Sequence, residues 1–140
     1  LALYGGVPRR EAAEQVRQVA HVEAQVVQRK RIEAGATVGY NATWTAHAST
    51  ELAILNIGYA DGYLRGFSSR GRGRFEGVEL PVVGRVSMDL TAMRCDAAPG
   101  LKEGDWIEVD YKLPEAAAQS GLSQYELLTT LGARHARRWR

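Results

Sequence analysis

The chain has 140 residues, and its 18 Lys and Arg against 16 Asp and Glu give a formal net charge of +2. A hydrophobic content of 45% and a charged content of 24% are ordinary for a globular domain and exclude a wholly disordered chain. No apolar run approaches the roughly 20 residues of a membrane-spanning helix, and the single cysteine, Cys95, excludes a disulfide framework and a site of several thiolates. A reducing, cytoplasmic compartment fits this composition.

The first twenty residues predict the end of a strand, a turn and a helix. The apolar tetrapeptide Leu1–Tyr4 runs into Gly5 and Gly6, as at the end of a buried strand, and residues 8–19 carry helix formers behind Pro8. The sequence shows neither an initiator methionine nor a signal peptide. We therefore expect it to begin in the middle of a larger protein.

Six short strands are predicted after this helix, with glycine-rich turns between them. They cover residues 21–32, 36–46, 51–58, 78–83, 84–93 and 106–109. The apolar residues of the fifth strand alternate with polar ones, which is typical of a half-buried strand. Its apolar face would carry Val86, Met88, Leu90 and Ala92. Residues 59–75 are rich in Gly and Arg and are predicted as a loop.

Two short helices close the sequence. One covers residues 114–119 and is followed by Gly121, and the next begins at Ser123, which forms a capping box with Glu126. Gly132 is expected to end the second helix. These elements together predict a mainly β fold, a small β-barrel or sandwich with short helices.

Three segments carry residues suited to a binding site, and each has a purely structural alternative. Residues 58–63, GYADGY, contain an Asp-Gly turn pair, but their glycines also permit a ligand to approach the backbone, with two tyrosines facing it. The segment GRVSMD places Arg85 and Asp89 on one face, where such a pair usually forms a surface ion pair, and Met88 on the other, usually a core position. Tyr40, in VGYNATW, occupies a strand position at which tyrosine usually packs.

The arginines raise a nucleic-acid-binding module as an alternative. SRGRGRF and the tail ARHARRWR interleave Arg, Gly and aromatic residues, as single-strand-binding segments do. The net charge of +2 is small for a dedicated nucleic-acid domain. The histidines, His21, His47 and His135, stand singly and without a metal-ligand spacing, so no metal site is predicted.

Five segments, taken in their order along the chain, resemble the C-terminal β-domain of the fold-type III, pyridoxal-phosphate-dependent alanine racemases. They are LALYGG, VGYNATW, NIGYADGY, PVVGRVSMDL and YELLTTLGAR, and the resemblance covers nearly all of residues 1–140. In that family a (β/α)8 barrel precedes the β-domain. The resemblance implies that residues 1–20 are a remnant of the last strand and helix of the barrel, and that residues 21–140 form a small β-barrel-like domain with short helices.

The resemblance also implies an activity. The family interconverts L-alanine and D-alanine through a Cα carbanion whose electrons the ring of pyridoxal 5'-phosphate accepts, and D-alanine supplies bacterial peptidoglycan from the cytoplasm. The lysine that carries the cofactor belongs to the barrel, so the isolated chain is expected to be inactive and without bound cofactor. The working unit would be a homodimer in which each β-domain completes the partner's site, with alanine as substrate and with neither nucleic acid nor a membrane as partner.

Three residues of this chain match family positions at the substrate. Tyr40 would be the second acid/base group, opposite the lysine, because racemisation removes the Cα proton on one face and returns one on the other. Met88 would contact the substrate carboxylate through its backbone N–H. Tyr59 would line the inner part of the substrate corridor.

Polar positions of the corridor and of the cofactor pocket follow from the same resemblance. Arg65 and Asp89 match residues of the corridor and its intersubunit rim, and the backbone amide of Leu1 matches a contact to the cofactor phosphate. Ala133 stands where some relatives carry a phosphate-contacting tyrosine, so that contact is expected to be absent or made by another group. Two further interpretations stay open, a racemase of broader amino-acid specificity and a dimerisation domain without catalytic residues.

Overall fold

The computed structural model describes residues 5–7 and 17–139, and antiparallel strands make up most of its regular structure. The strands are β1 (Val22–Ile32), β2 (Thr37–Val38), β3 (Trp44–Thr45), β4 (Thr50–Leu55), β5 (Arg72–Phe75), β6 (Val78–Pro81), β7 (Thr91–Arg94) and β8 (Trp106–Val109). The helices are α1 (Leu113–Ser120) and α2 (Gln124–Thr130), and short 3₁₀ turns cover Tyr40–Ala42, Tyr59–Asp61 and Arg65–Phe67. No helix within the described residues is long and apolar enough to span a membrane.

Six of the strands form one antiparallel sheet, in the order β6-β5-β8-β1-β4-β7, and β2 pairs with β3 in a separate hairpin. The long strand β1 serves two neighbours, because its first residues pair with β8 and most of the rest pair with β4. A bulge between Val26 and Gln28 lies where the pairing with β4 is established. Strand β1 therefore joins the two halves of the sheet.

The two outermost strands, β6 and β7, meet at a β-bridge. Val82, directly after β6, pairs with Met93 of β7, and the N–H of Val83 donates to the carbonyl oxygen of Ala92 at 2.9 Å. This bridge closes the sheet on itself and confirms the predicted small, barrel-like β-domain with short helices. Pro81 lies at the end of the outer strand β6, where a missing backbone N–H is tolerated.

Inward side chains of the sheet and of the helices form one core. Tyr63 stacks on Phe67 with ring centroids 4.3 Å apart, and Tyr111 tilts against the same ring at 5.9 Å. The hydroxyl of Tyr111 donates to the carbonyl oxygen of Leu127 at 2.8 Å, so α2 is tied to the segment that follows β8. Large apolar side chains fill the rest of the core: Leu55, Ile57, Leu80, Met93, Leu101, Ile107 and Leu127.

The two helices have the ends that the sequence predicts, with one exception. Gly121 follows α1 with a left-handed φ of 73°, a conformation that favours glycine. Ser123 and Glu126 form the predicted capping box, in which the Ser123 N–H donates to the Glu126 carboxylate at 2.7 Å and lowers its pKa. Helix α2 ends at Thr130, because Leu131 is already extended, so Gly132 is not its cap.

Two of the predicted strands are wrong in part. Residues 36–46 form the hairpin of β2 and β3 rather than one strand, because Gly39, Asn41 and Ala42 all have positive φ and reverse the chain. In the segment 84–93 only Thr91 onward belongs to a strand, and the predicted burial holds at Val86 but fails after it. Two residues of the predicted apolar face, Met88 and Leu90, are exposed, whereas Thr91 and Met93 are buried.

Two further differences concern residues 1–20 and 59–75. The predicted strand end at Leu1–Tyr4 and most of the predicted helix lie outside the described residues, and residues 17–19 are not helical. The predicted glycine- and arginine-rich loop contains strand β5, which the alternation of Arg with Gly conceals. Small and charged residues alternate there because Gly73 faces the core against Ile107 and Met93 while Arg72 and Arg74 face outward.

Candidate functional site

Residues 84–90, called the site loop below, connect the closing bridge of the sheet to β7. Gly84 has a left-handed φ of 72°, which turns the chain away from β6. Ser87 then closes a tight turn: its N–H and its hydroxyl both donate to the carbonyl oxygen of Leu90, and its Oγ accepts from the Leu90 N–H at 3.1 Å. These local bonds compete with strand pairing, and they leave Met88 52% exposed at the tip.

The hairpin of residues 37–45, called the tyrosine hairpin below, packs its backbone against the site loop. A Cβ added to Gly39 would lie 2.7 Å from the backbone N of Arg85, and one added to Gly84 would lie 2.7 Å from the carbonyl oxygen of Val38. Tyr40 follows this contact and is 65% exposed. The left-handed Asn41 and Ala42, with φ of 61° and 49°, hold the turn that presents it. Backbone strain of this kind concentrates at functional sites.

The 3₁₀ turn Tyr59–Asp61, called the Tyr59 turn below, contacts the other side of the site loop. The N–H groups of Tyr59 and Ala60 donate to the carbonyl oxygens of Ser87 and Met88, each at 3.0 Å. A Cβ at Gly58 would collide with these same two carbonyl oxygens, so glycine permits the contact. The guanidinium of Arg65 lies 4.9 Å from the centre of the Tyr59 ring, a cation–π geometry that orients both side chains.

A pair of carboxylates links the Tyr59 turn to the site loop through one guanidinium. Asp61 is buried, and its Oδ2 accepts from the N–H of Gly58 at 2.9 Å. Arg134 lies 3.3 Å from Oδ1 of Asp61 through Nε and 2.8 Å from Oδ1 of Asp89 through Nη2. The hydrogen bond that Arg134 donates to Asp89, together with the charge of Asp61, raises the pKa of Arg134. The guanidinium therefore stays protonated and bridges two elements that are far apart in sequence.

Five predicted site residues come together at this face, and the sixth lies outside the described residues. The residues on or against the site loop and its two neighbours are Tyr40, Tyr59, Arg65, Met88 and Asp89. Leu1, predicted at the cofactor phosphate, is among the residues that the structure does not describe. The chemical roles of all six stay predictions.

Two members of the cluster, Asp61 and Arg134, were not predicted. Asp61 stands in an Asp-Gly pair, which indicates only a turn, and Arg134 stands in a basic tail with no periodicity. The one signal in the sequence was an acidic residue directly before a glycine in a segment rich in tyrosine.

The site presents groups suited to holding and protonating a small molecule, but it presents no amine. The lysines, Lys30, Lys102 and Lys112, are exposed and lie on β1, in the loop before β8 and just before α1. The described residues therefore place no lysine at this face, which presents a phenol, a guanidinium and backbone N–H groups. Within the described residues, no three His, Cys, Asp or Glu side chains gather as a metal site.

The backbone N–H of Met88 is available to a ligand. It donates no hydrogen bond to any residue that the structure describes, although the neighbouring carbonyl oxygens of Ser87 and Met88 both accept one. A free N–H at the tip of a fixed turn is a suitable donor for a carboxylate oxygen.

Two arginines of the glycine-rich segment pair with carboxylates. Arg72 lies 3.3 Å from Glu79 across β5 and β6, and Arg74 lies 3.8 Å from Asp110. This pairing offsets part of the positive charge of the segment.

The chain matches a family model described as "Alanine racemase, C-terminal domain" over residues 19–139. It is 41% identical to an alanine racemase of Acidiphilium cryptum over 139 residues, which cover 97% of this chain and 39% of that protein. It is 38% identical to a catabolic alanine racemase of Agrobacterium fabrum, covering 98% of this chain and 37% of that protein.

Solved structures of alanine racemases are also similar to this chain. The crystal structure of alanine racemase from Bartonella henselae with covalently bound pyridoxal phosphate superposes with a TM-score of 0.90 at 36% identity, over 98% of this chain and 39% of that one. The biosynthetic alanine racemase of Pseudomonas aeruginosa superposes with a TM-score of 0.90 at 31% identity, over 99% of this chain and 40% of that one. The chain thus spans about two fifths of the length of these relatives.

Proposed function

Because this chain belongs to the alanine racemase family as its C-terminal domain, we propose that the protein to which it contributes interconverts L-alanine and D-alanine. The activity is attributed to the complete gene product, since the chain spans about two fifths of its relatives. Pyridoxal phosphate is the proposed cofactor, because the Bartonella henselae relative binds it covalently. The proposed role is to supply D-alanine for peptidoglycan in a bacterial cytoplasm.

Tyr40 is proposed as the acid/base group on one face of the substrate. Racemisation needs two proton carriers, one on each side of Cα. Pyridoxal phosphate, when bound, accepts the electron pair that the departing Cα proton leaves behind. The Tyr40 hydroxyl would hold the proton on its side, and its support is a phenol 65% exposed on a strained turn that is fixed against the site loop.

Met88 is proposed to hold the substrate carboxylate through its backbone N–H. The free donor at the tip of the site loop carries this role, and the thioether does not take part. Tyr59, oriented by Arg65, would line the approach to the site. Met88→Leu is therefore expected to leave KM for alanine within about threefold, whereas a change that moves the loop backbone would raise KM.

The observation that carries the proposal is the exposure of one connected face. Tyr40, Met88 at 52% and Leu90 at 43% exposed belong to two adjoining segments, where a lone domain would bury such side chains. A second surface is needed to cover them. We assign that surface to the barrel of a second subunit in a homodimer, so that this domain completes the partner's site.

The test uses the complete gene product loaded with pyridoxal phosphate. Exchange of the Cα hydrogen with solvent deuterium is measured separately from L-alanine and from D-alanine for wild type, Tyr40→Phe and the control Tyr125→Phe, another exposed tyrosine. We expect Tyr40→Phe to lower exchange from one enantiomer by about 10²- to 10⁴-fold and from the other far less, with Tyr125→Phe unchanged. Equal, small losses from both enantiomers would contradict the role of Tyr40, and a wild-type protein that does not racemise alanine would overturn the proposed activity.

A further inference from the structure

Arg134 occupies a position that the proposed chemistry does not explain. It follows α2 in a tail of arginines, yet its guanidinium is held by two carboxylates from different elements, Asp61 and Asp89. Asp61 belongs to the Tyr59 turn, and Asp89 directly follows the residue with the free backbone N–H, Met88. We propose that Arg134 is a positioning residue that fixes the site loop against the Tyr59 turn and so sets the direction of the Met88 N–H.

The segment that carries Arg134 is itself anchored on the Tyr59 turn. The Nε2 of His135 lies 2.7 Å from the carbonyl oxygen of Asp61, and the N–H of Gly132 donates to the same oxygen at 3.3 Å. A Cβ at Gly62, at the end of the turn, would collide with the carbonyl oxygen of Thr130, so α2 and the turn touch backbone to backbone. The guanidinium thus extends from a fixed base.

Asp61 is fixed from two sides, which makes it a rigid anchor. Its Oδ2 accepts from the N–H of Gly58 and its Oδ1 faces Arg134, while the side chain is almost fully buried. Burial of a carboxylate costs free energy unless the group is paired and hydrogen-bonded. Arg134 supplies this pairing for Asp61. Because Nη2 of the same guanidinium lies 2.8 Å from Oδ1 of Asp89, Arg134 also fixes Asp89 relative to the Tyr59 turn.

The geometry also explains why the residue is an arginine. A guanidinium donates from several nitrogens in one plane and here uses Nε for Asp61 and Nη2 for Asp89. The ammonium of a lysine is a single point charge on a flexible chain and engages one carboxylate well. Without the cation, the carboxylates of Asp61 and Asp89 lose their shared partner and repel each other, which moves the loop away from the turn.

The inference rests on the proposed function for its kinetic consequence. A misdirected Met88 N–H weakens the hold on the substrate carboxylate, whereas the tyrosine hairpin contacts the site loop at Gly84 and Arg85, at the end away from Asp89, and therefore keeps its position. Arg134→Ala should therefore raise KM for both enantiomers about tenfold while kcat changes less than about threefold. Arg134→Lys should recover part of the loss, and the control Arg137→Ala, in the same exposed tail, should match wild type.

The kinetic test is a double-mutant cycle on the complete gene product loaded with pyridoxal phosphate. Arg134→Ala, Asp89→Ala and the double variant are compared in KM and kcat for L-alanine and D-alanine. If the pair acts as a unit, the double variant raises KM no further than either single variant. Additive effects, an unchanged KM in Arg134→Ala, or an equal effect of Arg137→Ala would overturn the proposal.

A second measurement separates this proposal from the proposed activity. Amide hydrogen exchange of the same proteins should be faster in Arg134→Ala than in wild type for peptides covering residues 84–90, and unchanged for peptides from β1. Unchanged exchange at the site loop would overturn the role of Arg134. A wild-type protein that binds no alanine would overturn the proposed function alone, because the exchange result decides the role of Arg134 without a substrate.

Discussion

The closed sheet and the face around the site loop are held together by opposite means. In the sheet interior, side chains such as Leu55 and Ile107 are fully buried and fill the space between strands. At the site loop, backbone meets backbone at Gly39, Gly58 and Gly84, and the side chains of Met88 and Leu90 at its tip are exposed.

This difference separates stability from function within one small domain. Apolar side chains keep the sheet closed, and their loss leaves cavities that cost free energy of unfolding. The site loop stays in contact with its two neighbouring segments because the contact positions are glycines. A single Cβ at any of them would force two segments apart. Substitutions in the sheet should therefore mainly lower the free energy of unfolding, and substitutions at the close-contact glycines should mainly change the kinetics of the site.

The largest expected effect on stability is in the sheet. Leu55→Ala removes a fully buried side chain that lies between β1 and β7, and it should lower the free energy of unfolding by about 3 kcal/mol. Urea denaturation of the chain measures this loss, and kcat and KM per folded molecule of the complete gene product should stay at wild-type values. Val19→Ala, at an exposed position, should stay within about 0.5 kcal/mol of wild type.

A smaller effect on stability with a larger effect on the site is expected at Gly58. Gly58→Ala places a methyl group against the carbonyl oxygens of Ser87 and Met88, and neither can move without breaking its bond to the Tyr59 turn. We expect a loss of about 2 kcal/mol and a rise in KM for alanine larger than Leu55→Ala causes. Gly100→Ala, where the added Cβ meets nothing within 4 Å, should change neither quantity. A Gly58→Ala enzyme with wild-type KM would break the comparison.

The smallest effect is expected where the two regions join. Tyr111 donates its hydroxyl to Leu127, with the carbonyl oxygen of Gly62 also within 3.3 Å, whereas the buried hydroxyl of Tyr63 has no partner among the described residues. Burial raises the pKa of both phenols, so both stay protonated. Tyr111→Phe should lower the free energy of unfolding by about 1 kcal/mol, and Tyr63→Phe should leave it unchanged or raise it. Equal losses in urea denaturation would contradict the assignment of the hydrogen bond.

The sequence predicts the sheet well because its strands follow local rules. Partly alternating β-branched residues locate β1, short runs of apolar residues locate β4 and β8, and the capping box of Ser123 locates α2. The sequence-based prediction fails at residues 84–90. Apolar and polar residues do alternate there, but Ser87 hydrogen-bonds to Leu90 and turns the chain out of the sheet. The prediction also fails at β5, since a strand whose inward positions are glycine has no apolar period to detect.

The candidate site is predictable only in part, for a different physical reason. The resemblance names Tyr40, Tyr59 and Met88 one by one, but which elements touch depends on tertiary contacts that no local pattern carries. Asp61 and Arg134 lie far apart in the chain and meet only because α2 packs against the Tyr59 turn. Long-range ion pairs of this kind have no sequence period, so a structure is needed to find them.

The bridge between Val82 and Met93 is the junction at which the sheet closes, called the seam below, and the site loop lies directly beside it. The other neighbouring strands of the sheet are joined by two or more residue pairs, whereas β6 and β7 are joined at this one bridge and at the bond from Val83 to Ala92. The site loop is the short connection between the two strands that meet at that seam. When the contact between β6 and β7 opens transiently, both ends of the site loop move together, and the N–H of Met88 moves with them. Under the proposed function, the opening of this junction would therefore limit how long the Met88 N–H keeps its direction toward the substrate carboxylate.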